Sequence, residues 1–131
     1  MAFLLDTNIA IHARDGDERV LDRLAAHGGQ IVISALSYAA LQRGLFKDPA
    51  AGPLRAARLE VLMEHIPILP FDAAAALAYG RIIAQRGWAK GKDFDRMIAG
   101  HAIATRSILV TDNTADFADI PLLERVNWIR P

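Results

Sequence analysis

Short, wholly apolar runs that stop abruptly at polar residues constrain this chain more than any other feature. Phe3-Leu4-Leu5 ends at Asp6-Thr7-Asn8, and Ile108-Leu109-Val110 ends at Thr111-Asp112-Asn113. Three consecutive apolar residues with no alternating polar partner read as a strand buried on both faces, the type found in parallel sheets. Gln30-Ile31-Val32-Ile33 is a β-branched second strand, and Pro67-Ile68-Leu69-Pro70 is a short proline-flanked piece suited to a sheet margin. A last extended piece falls near Val126 to Ile129.

The intervening segments read as helices. Ile9 to Ala13 is a short one, followed by a turn at Arg14-Asp15-Gly16-Asp17; Asp17 caps the next, with Val20, Leu21 and Leu24 on one face and Gly28-Gly29 at its end. Ser34 caps a helix from Ala35 to about Leu45, which places Leu36, Ala40 and Gly44 on a common face. Lys47-Asp48-Pro49 and Gly52-Pro53 break the chain before a helix from Leu54 to His65. Asp72 starts an alanine-rich helix from Ala73 to Arg86, closed by Gly87, and after the connector Trp88-Ala89-Lys90-Gly91-Lys92, Asp93 caps a helix from Phe94 to Arg106. Strands alternating with helices call for an α/β fold, a three-layer α/β/α sandwich around a short, mainly parallel sheet of four or five strands. The length of 131 residues suits one domain spanning 1–131.

Composition narrows the function classes. There is no cysteine, so thiolate nucleophiles, thiolate metal sites and disulfides are excluded, which suits a reducing cytoplasm. Asp6 interrupts the amino-terminal apolar run too early for a signal peptide. The run free of Asp, Glu, Lys and Arg from Leu24 to Gln42 contains His27, two glycines and two serines, and makes a poor membrane helix. Lys+Arg and Asp+Glu are both 15, so any contact with nucleic acid must be local or shared with a partner.

The concentrated chemical resource is a set of acids at or facing strand ends: Asp6, Asp95, Asp112 and Asp116, with Asp93 nearby. Carboxylates without Cys or His ligands suit hard cations, Mg2+ or Mn2+, rather than zinc. Such an ion keeps clustered acids ionised, polarises a phosphoryl oxygen and lowers the pKa of a bound water. Each acid also has a structural reading: Asp6, Asp93 and Asp116 as helix caps, Asp112 as a turn residue. His12, His27, His65 and His101 show no ligand spacing and are assigned to structure. Arg14, Arg43, Arg86, Lys90, Lys92 and Arg96 lie in or beside the connectors expected to rim the strand ends, where they could hold phosphate.

In order along the chain, Leu4-Leu5-Asp6-Thr7-Asn8, Ile33-Ser34-Ala35, Phe94-Asp95-Arg96-Met97-Ile98-Ala99-Gly100-His101-Ala102 and Leu109-Val110-Thr111-Asp112-Asn113-Thr114-Ala115-Asp116-Phe117 resemble the PIN-domain ribonucleases of the VapC toxin type, down to the closing Asn127-Trp128. The resemblance implies a Mg2+- or Mn2+-dependent endoribonuclease toxin of a type II toxin-antitoxin pair, a homodimer inhibited by a VapB-like antitoxin, acting on RNA that in several relatives is tRNA. It assigns Asp6 and Asp95 as catalytic metal ligands, with Asn113 and Asp116 contributing and Asp112 as an extra neighbour. Arg43, Lys90, Lys92 and Arg96 are the candidate RNA contacts.

One family acid is absent. The helix after the second strand typically reads Ala-Glu-Leu-x-x-Gly in these toxins, whereas here it reads Ala39-Ala40-Leu41-Gln42-Arg43-Gly44, and no Asp or Glu occurs between Gln30 and Lys47. Ala40 stands where a glutamate is expected, so an attenuated or inactive nuclease follows. Two alternatives remain: a non-catalytic module that binds antitoxin or RNA, and a phosphotransfer domain using Asp6 as nucleophile. The second lacks an acid two residues beyond Asp6.

Overall fold

The computed structural model describes residues 1–131. Five strands, β1 (Phe3–Leu5), β2 (Ile31–Ser34), β3 (Ile68–Leu69), β4 (Ile108–Val110) and β5 (Arg125–Val126), form one sheet in the order β3-β2-β1-β4-β5. Every pairing is parallel. Successive strands run outward from β1 to one edge as β2 and β3, then return to its other side as β4 and β5. The order therefore reverses beside β1, and the crevice at its carboxyl end is the natural ligand position of such a sheet.

Six helices cover the sheet: α1 (Thr7–Arg14), α2 (Glu18–Ala26), α3 (Ala35–Lys47), α4 (Gly52–Met63), α5 (Ala73–Arg86) and α6 (Asp93–Ala104). Side chains alternate across β1 and β4 and so divide the core in two. Leu5 and Val110 point into a cluster with Ile9, Ala13, Val20, Ile33, Leu41 and Leu59, under α1 to α4. Leu4 and Leu109 point the other way, to Ile82, Ile98, Ala99, Ala102 and Phe117, under α5 and α6. Both leucines of β1 are fully buried, each worth roughly 1.5–3 kcal/mol of transfer free energy.

Several boundaries differ from those read in the sequence. Helix α1 runs to Arg14, which is buried rather than part of a turn. Gly52-Pro53 opens α4 instead of preceding it, because a proline in the first turn lacks only an N–H that has no helical acceptor anyway. A Cβ on Gly52 would meet the Leu45 carbonyl oxygen at 2.5 Å, so glycine there lets α3 and α4 approach. Asp93 is the first residue of α6 and not its cap; Lys92 holds the cap position without a side-chain bond, and Asp93 instead accepts the Tyr79 hydroxyl of α5. Gly100 lets these two helices touch, since a Cβ there would lie 2.7 Å from the Tyr79 nitrogen. The last strand is confined to Arg125–Val126, after which Asn127 folds back on the backbone N–H groups of Ile129 and Arg130.

Candidate metal centre

Asp6 leaves β1 at the reversal of strand order. Its backbone N–H donates to the Val110 carbonyl at 2.9 Å, which fixes its height against β4. One carboxylate oxygen accepts the Thr7 N–H at 2.8 Å, and the other accepts the Thr111 hydroxyl at 2.9 Å. Capping α1 and lining a site are therefore one arrangement rather than two rival readings. Asp6 is only 6% exposed; burial pushes its pKa up, against the pull of the Thr111 and Thr7 bonds.

Asp95, in the first turn of α6, is half-buried. Its pKa is pushed up to about 6, first by burial and then by the negative charges of Asp6 and Asp116. Acids from three separate segments thus lie close enough for the charges of Asp6 and Asp116 to act on Asp95. Asp116 sits in a 3-10 turn, Thr114–Phe117, and accepts the Asn113 side-chain amide. The Asn113 N–H donates in turn to the Thr111 hydroxyl oxygen at 3.0 Å. Buried Thr111 thus joins the β4 loop to Asp6, a role legible in the sequence only as one of several turn-type polar residues.

No three acids or histidines converge tightly enough to cage an ion unaided. The donor set nonetheless fits a hard divalent cation: every candidate ligand is a carboxylate oxygen, and the repulsion acting on Asp95 is the kind a cation relieves. Asp6, Asp95 and Asp116 would hold it.

Asp112 turns elsewhere. It lies 3.1 Å from Nε of Arg130 and 3.3 Å from the Asn127 amide. Burial raises its pKa, but the bonds from Arg130 and Asn127 and the charges of Arg130 and His12 outweigh this and hold it below the usual range. The expected extra neighbour of the site is an anchor for the C-terminal segment.

Helix α3 faces the site with small side chains. The Thr7 hydroxyl donates to Ser37 Oγ at 2.9 Å, fixing which side of α3 meets the start of α1. Ala40 is one turn further along that side, and a Cβ on Gly44, the next turn, would lie 3.7 Å from the Arg14 guanidinium. At this position α3 presents a methyl group and no carboxylate. Ser37 escaped sequence reading, because a single serine inside a helix carries no signal of its own.

Arg43, Lys90 and Lys92 are exposed, as phosphate contacts require. Arg96 is not: it is 6% exposed, donates to the Gly87 carbonyl and lies 3.7 Å from Asp119. Its place beside the connector before α6 pointed to a phosphate contact, but in the folded chain its side chain turns inward. Arg14 is likewise buried, against Asp15 at 3.0 Å. His101 is buried with Nδ1 2.8 Å from Ser34 Oγ, and His27 stacks on Trp128. A groove of about 670 Å³ between α2 and α4, lined by Leu24, Ile31, Val61, Leu62 and Ile66, contains none of the acids.

A parallel sheet with acids gathered where its strand order reverses is the architecture of a PIN domain, and the PIN domain profile matches residues 3–123. The chain is 33% identical to Ribonuclease VapC2 of Rickettsia felis, over 98% of each protein. It is 35% identical to the tRNA(fMet)-specific endonuclease VapC of Shigella flexneri, again over 98% of each. DNA-bound VapBC from Salmonella typhimurium superposes with a TM-score of 0.87 at 30% identity, covering 98% of both chains. VapBC2 from Rickettsia felis, bound to a DNA fragment from their promoter, gives 0.86 at 30% identity over 98% of this chain and 99% of that one. The chain belongs to the PIN-domain ribonucleases of the VapC toxin type.

Proposed function

We propose that this protein is the toxin of a VapBC-type pair: a Mg2+- or Mn2+-dependent endoribonuclease fold, dimeric and held in check by a VapB-like antitoxin, whose cleavage is attenuated by Ala40. The observation that carries the reading is Asp6 fixed at the carboxyl end of β1, where the strand order reverses, with Asp95 and Asp116 brought within electrostatic reach of that crevice. Relatives named as tRNA(fMet)-specific endonucleases support tRNA as the substrate class. Solved relatives that are toxin–antitoxin complexes support the partner.

A bound divalent ion supplies a polarised phosphoryl oxygen and an acidified water. The chain's residues do the positioning. Asp6 would be the most firmly placed ligand, because both its oxygens are already bonded and its backbone is tied to β4. Asp95 offers its carboxylate from a helix N-terminus, where the dipole favours its ionised form once a cation offsets the neighbouring charge. Asn113 holds Asp116 in the exposed turn. In the cation-free protein near pH 6, Asp95 retains a proton about half the time.

Absence of an acid throughout α3 favours a second reading, in which the chain binds antitoxin and RNA without cutting. The two separate on Ala40→Glu. Returning one preorganised charged group should raise Mg2+- or Mn2+-dependent cleavage of tRNA by roughly 10²- to 10³-fold. Unchanged cleavage, with RNA binding intact, would establish the binding module instead.

A further inference from the structure

Resting on the ribonuclease reading, we propose that Trp88 and Phe94 form a base-stacking platform, flanked by Lys90 and Lys92, that seats single-stranded RNA beside Asp95. Trp88 is 65% exposed and Phe94 40%, so both rings are open to solvent and able to meet a ligand. Phe94 directly precedes Asp95. Trp88 follows Gly87, whose carbonyl accepts the buried Arg96 guanidinium, so the start of the connector is tied to the turn of α6 that carries Asp95. Gly87 and Gly91 have φ of 77° and 83°, a left-handed backbone that glycine adopts freely, and the Lys92 N–H donates to the Ala89 carbonyl at 3.2 Å. The connector is therefore a shaped turn that displays Trp88 and both lysines outward.

Its chemistry is that of single-stranded nucleic-acid recognition. Aromatic faces stack on unpaired bases of any sequence, and neighbouring lysines neutralise the phosphates. Those cations also answer an electrostatic problem at the site. An RNA backbone approaching Asp6, Asp95 and Asp116 meets like charge, and the chain as a whole has no net positive charge to attract it. Lys90 and Lys92 supply local attraction next to the acids. The buried Arg96 contributes by holding the turn and not by touching phosphate.

The test uses the unmodified chain with a chelator present, so that nothing is cut, and a fluorescent single-stranded RNA oligonucleotide followed by anisotropy. Trp88→Ala should raise Kd roughly five- to 150-fold, Trp88→Phe should recover most of the loss, and Phe94→Ala should weaken binding in the same sense. Lys90→Ala should make the salt dependence shallower by about 0.7 in log–log slope. RNA should quench the solvent-exposed tryptophan emission, which is absent from Trp88→Ala, while buried Trp128 reports that each variant is folded. Unchanged RNA affinity in Trp88→Ala and Phe94→Ala overturns the platform and leaves the ribonuclease reading standing. A fall in molecular mass in those variants with RNA affinity unchanged also overturns it, and assigns the aromatics to a second copy of the chain. No RNA binding by the unmodified chain overturns both.

Discussion

Replacing Asp95 by Asn should make the cation-free protein more stable at neutral pH. In the folded chain the Asp95 pKa lies at about 6 instead of 3.8, so folding must hold a carboxylate where burial and the charges of Asp6 and Asp116 disfavour it. Fully counted, that displacement amounts to roughly 3 kcal/mol. Because the group is only half-buried, solvent screening reduces the figure to about 1–1.5 kcal/mol. The sign follows from proton binding: a raised folded pKa favours the folded state below about 3.8, and this advantage is lost as pH rises through about 6. Asp95→Asn removes the penalty, so in EDTA at pH 7.5 its midpoint should exceed the parent's by about 3–6 °C, and the gap should close on acidification to pH 3.8. Thermal unfolding followed by circular dichroism across that range measures both effects. Saturating Mg2+ should invert the order, since the parent gains about 2.7 kcal/mol at a hundredfold excess over Kd and the Asn variant gains less. A destabilised Asn variant in EDTA at pH 7.5, or a gap independent of pH, would refute the shared-field account of the three acids.

His101 supplies a pH dependence of opposite sign. Burial lowers its pKa, against the Asp72 charge and the Pro70 carbonyl, so its contribution is complete above pH 6.5 and declines as pH falls through its lowered value. His101→Asn should flatten the parent's loss of stability on the acid side of pH 6.5, read as the difference between the two unfolding curves. Gly100→Ala should cost about 1–3 kcal/mol in urea denaturation by forcing α5 and α6 apart, because the added methyl meets the Tyr79 nitrogen at 2.7 Å and Cα at 2.9 Å; a loss below about 0.5 kcal/mol would contradict so close a packing. Arg130→Ala frees Asp112 without touching Asp6 or Asp95, so Mg2+ binding by calorimetry should change less than about threefold, whereas Thr111→Val, which leaves an Asp6 oxygen unpaired, should weaken it about 10- to 100-fold.

Much of this was legible along the chain because it is local. Three apolar residues followed by Asp6, and again by Thr111, specify buried strands that end at a rim, and strand–helix alternation specifies a parallel sheet without naming its order. The absence of Asp and Glu from Gln30 to Lys47 showed that no acid could come from α3, wherever α3 lay. Short-range geometry was legible less sharply. Asp93 looked like a cap, but the Tyr79 hydroxyl offered by a neighbouring helix is a contact that spacing does not report.

What the tertiary structure alone decided is direction. Asp112 and Asp116 stand four positions apart in one polar loop and carry the same side chain, yet one turns to Arg130 and Asn127 from the C-terminal segment and the other lies within electrostatic reach of Asp95. Arg96 and Lys92 flank the same helix start, yet one is buried beneath the Gly87 carbonyl and the other is free to meet phosphate. Sequence supplies each side chain's chemistry, whereas its partner comes from whichever segment the sheet order brings alongside. The strand reversal beside β1 places Thr111 next to Asp6 across 105 positions of chain, and only a folded sheet can make that bond.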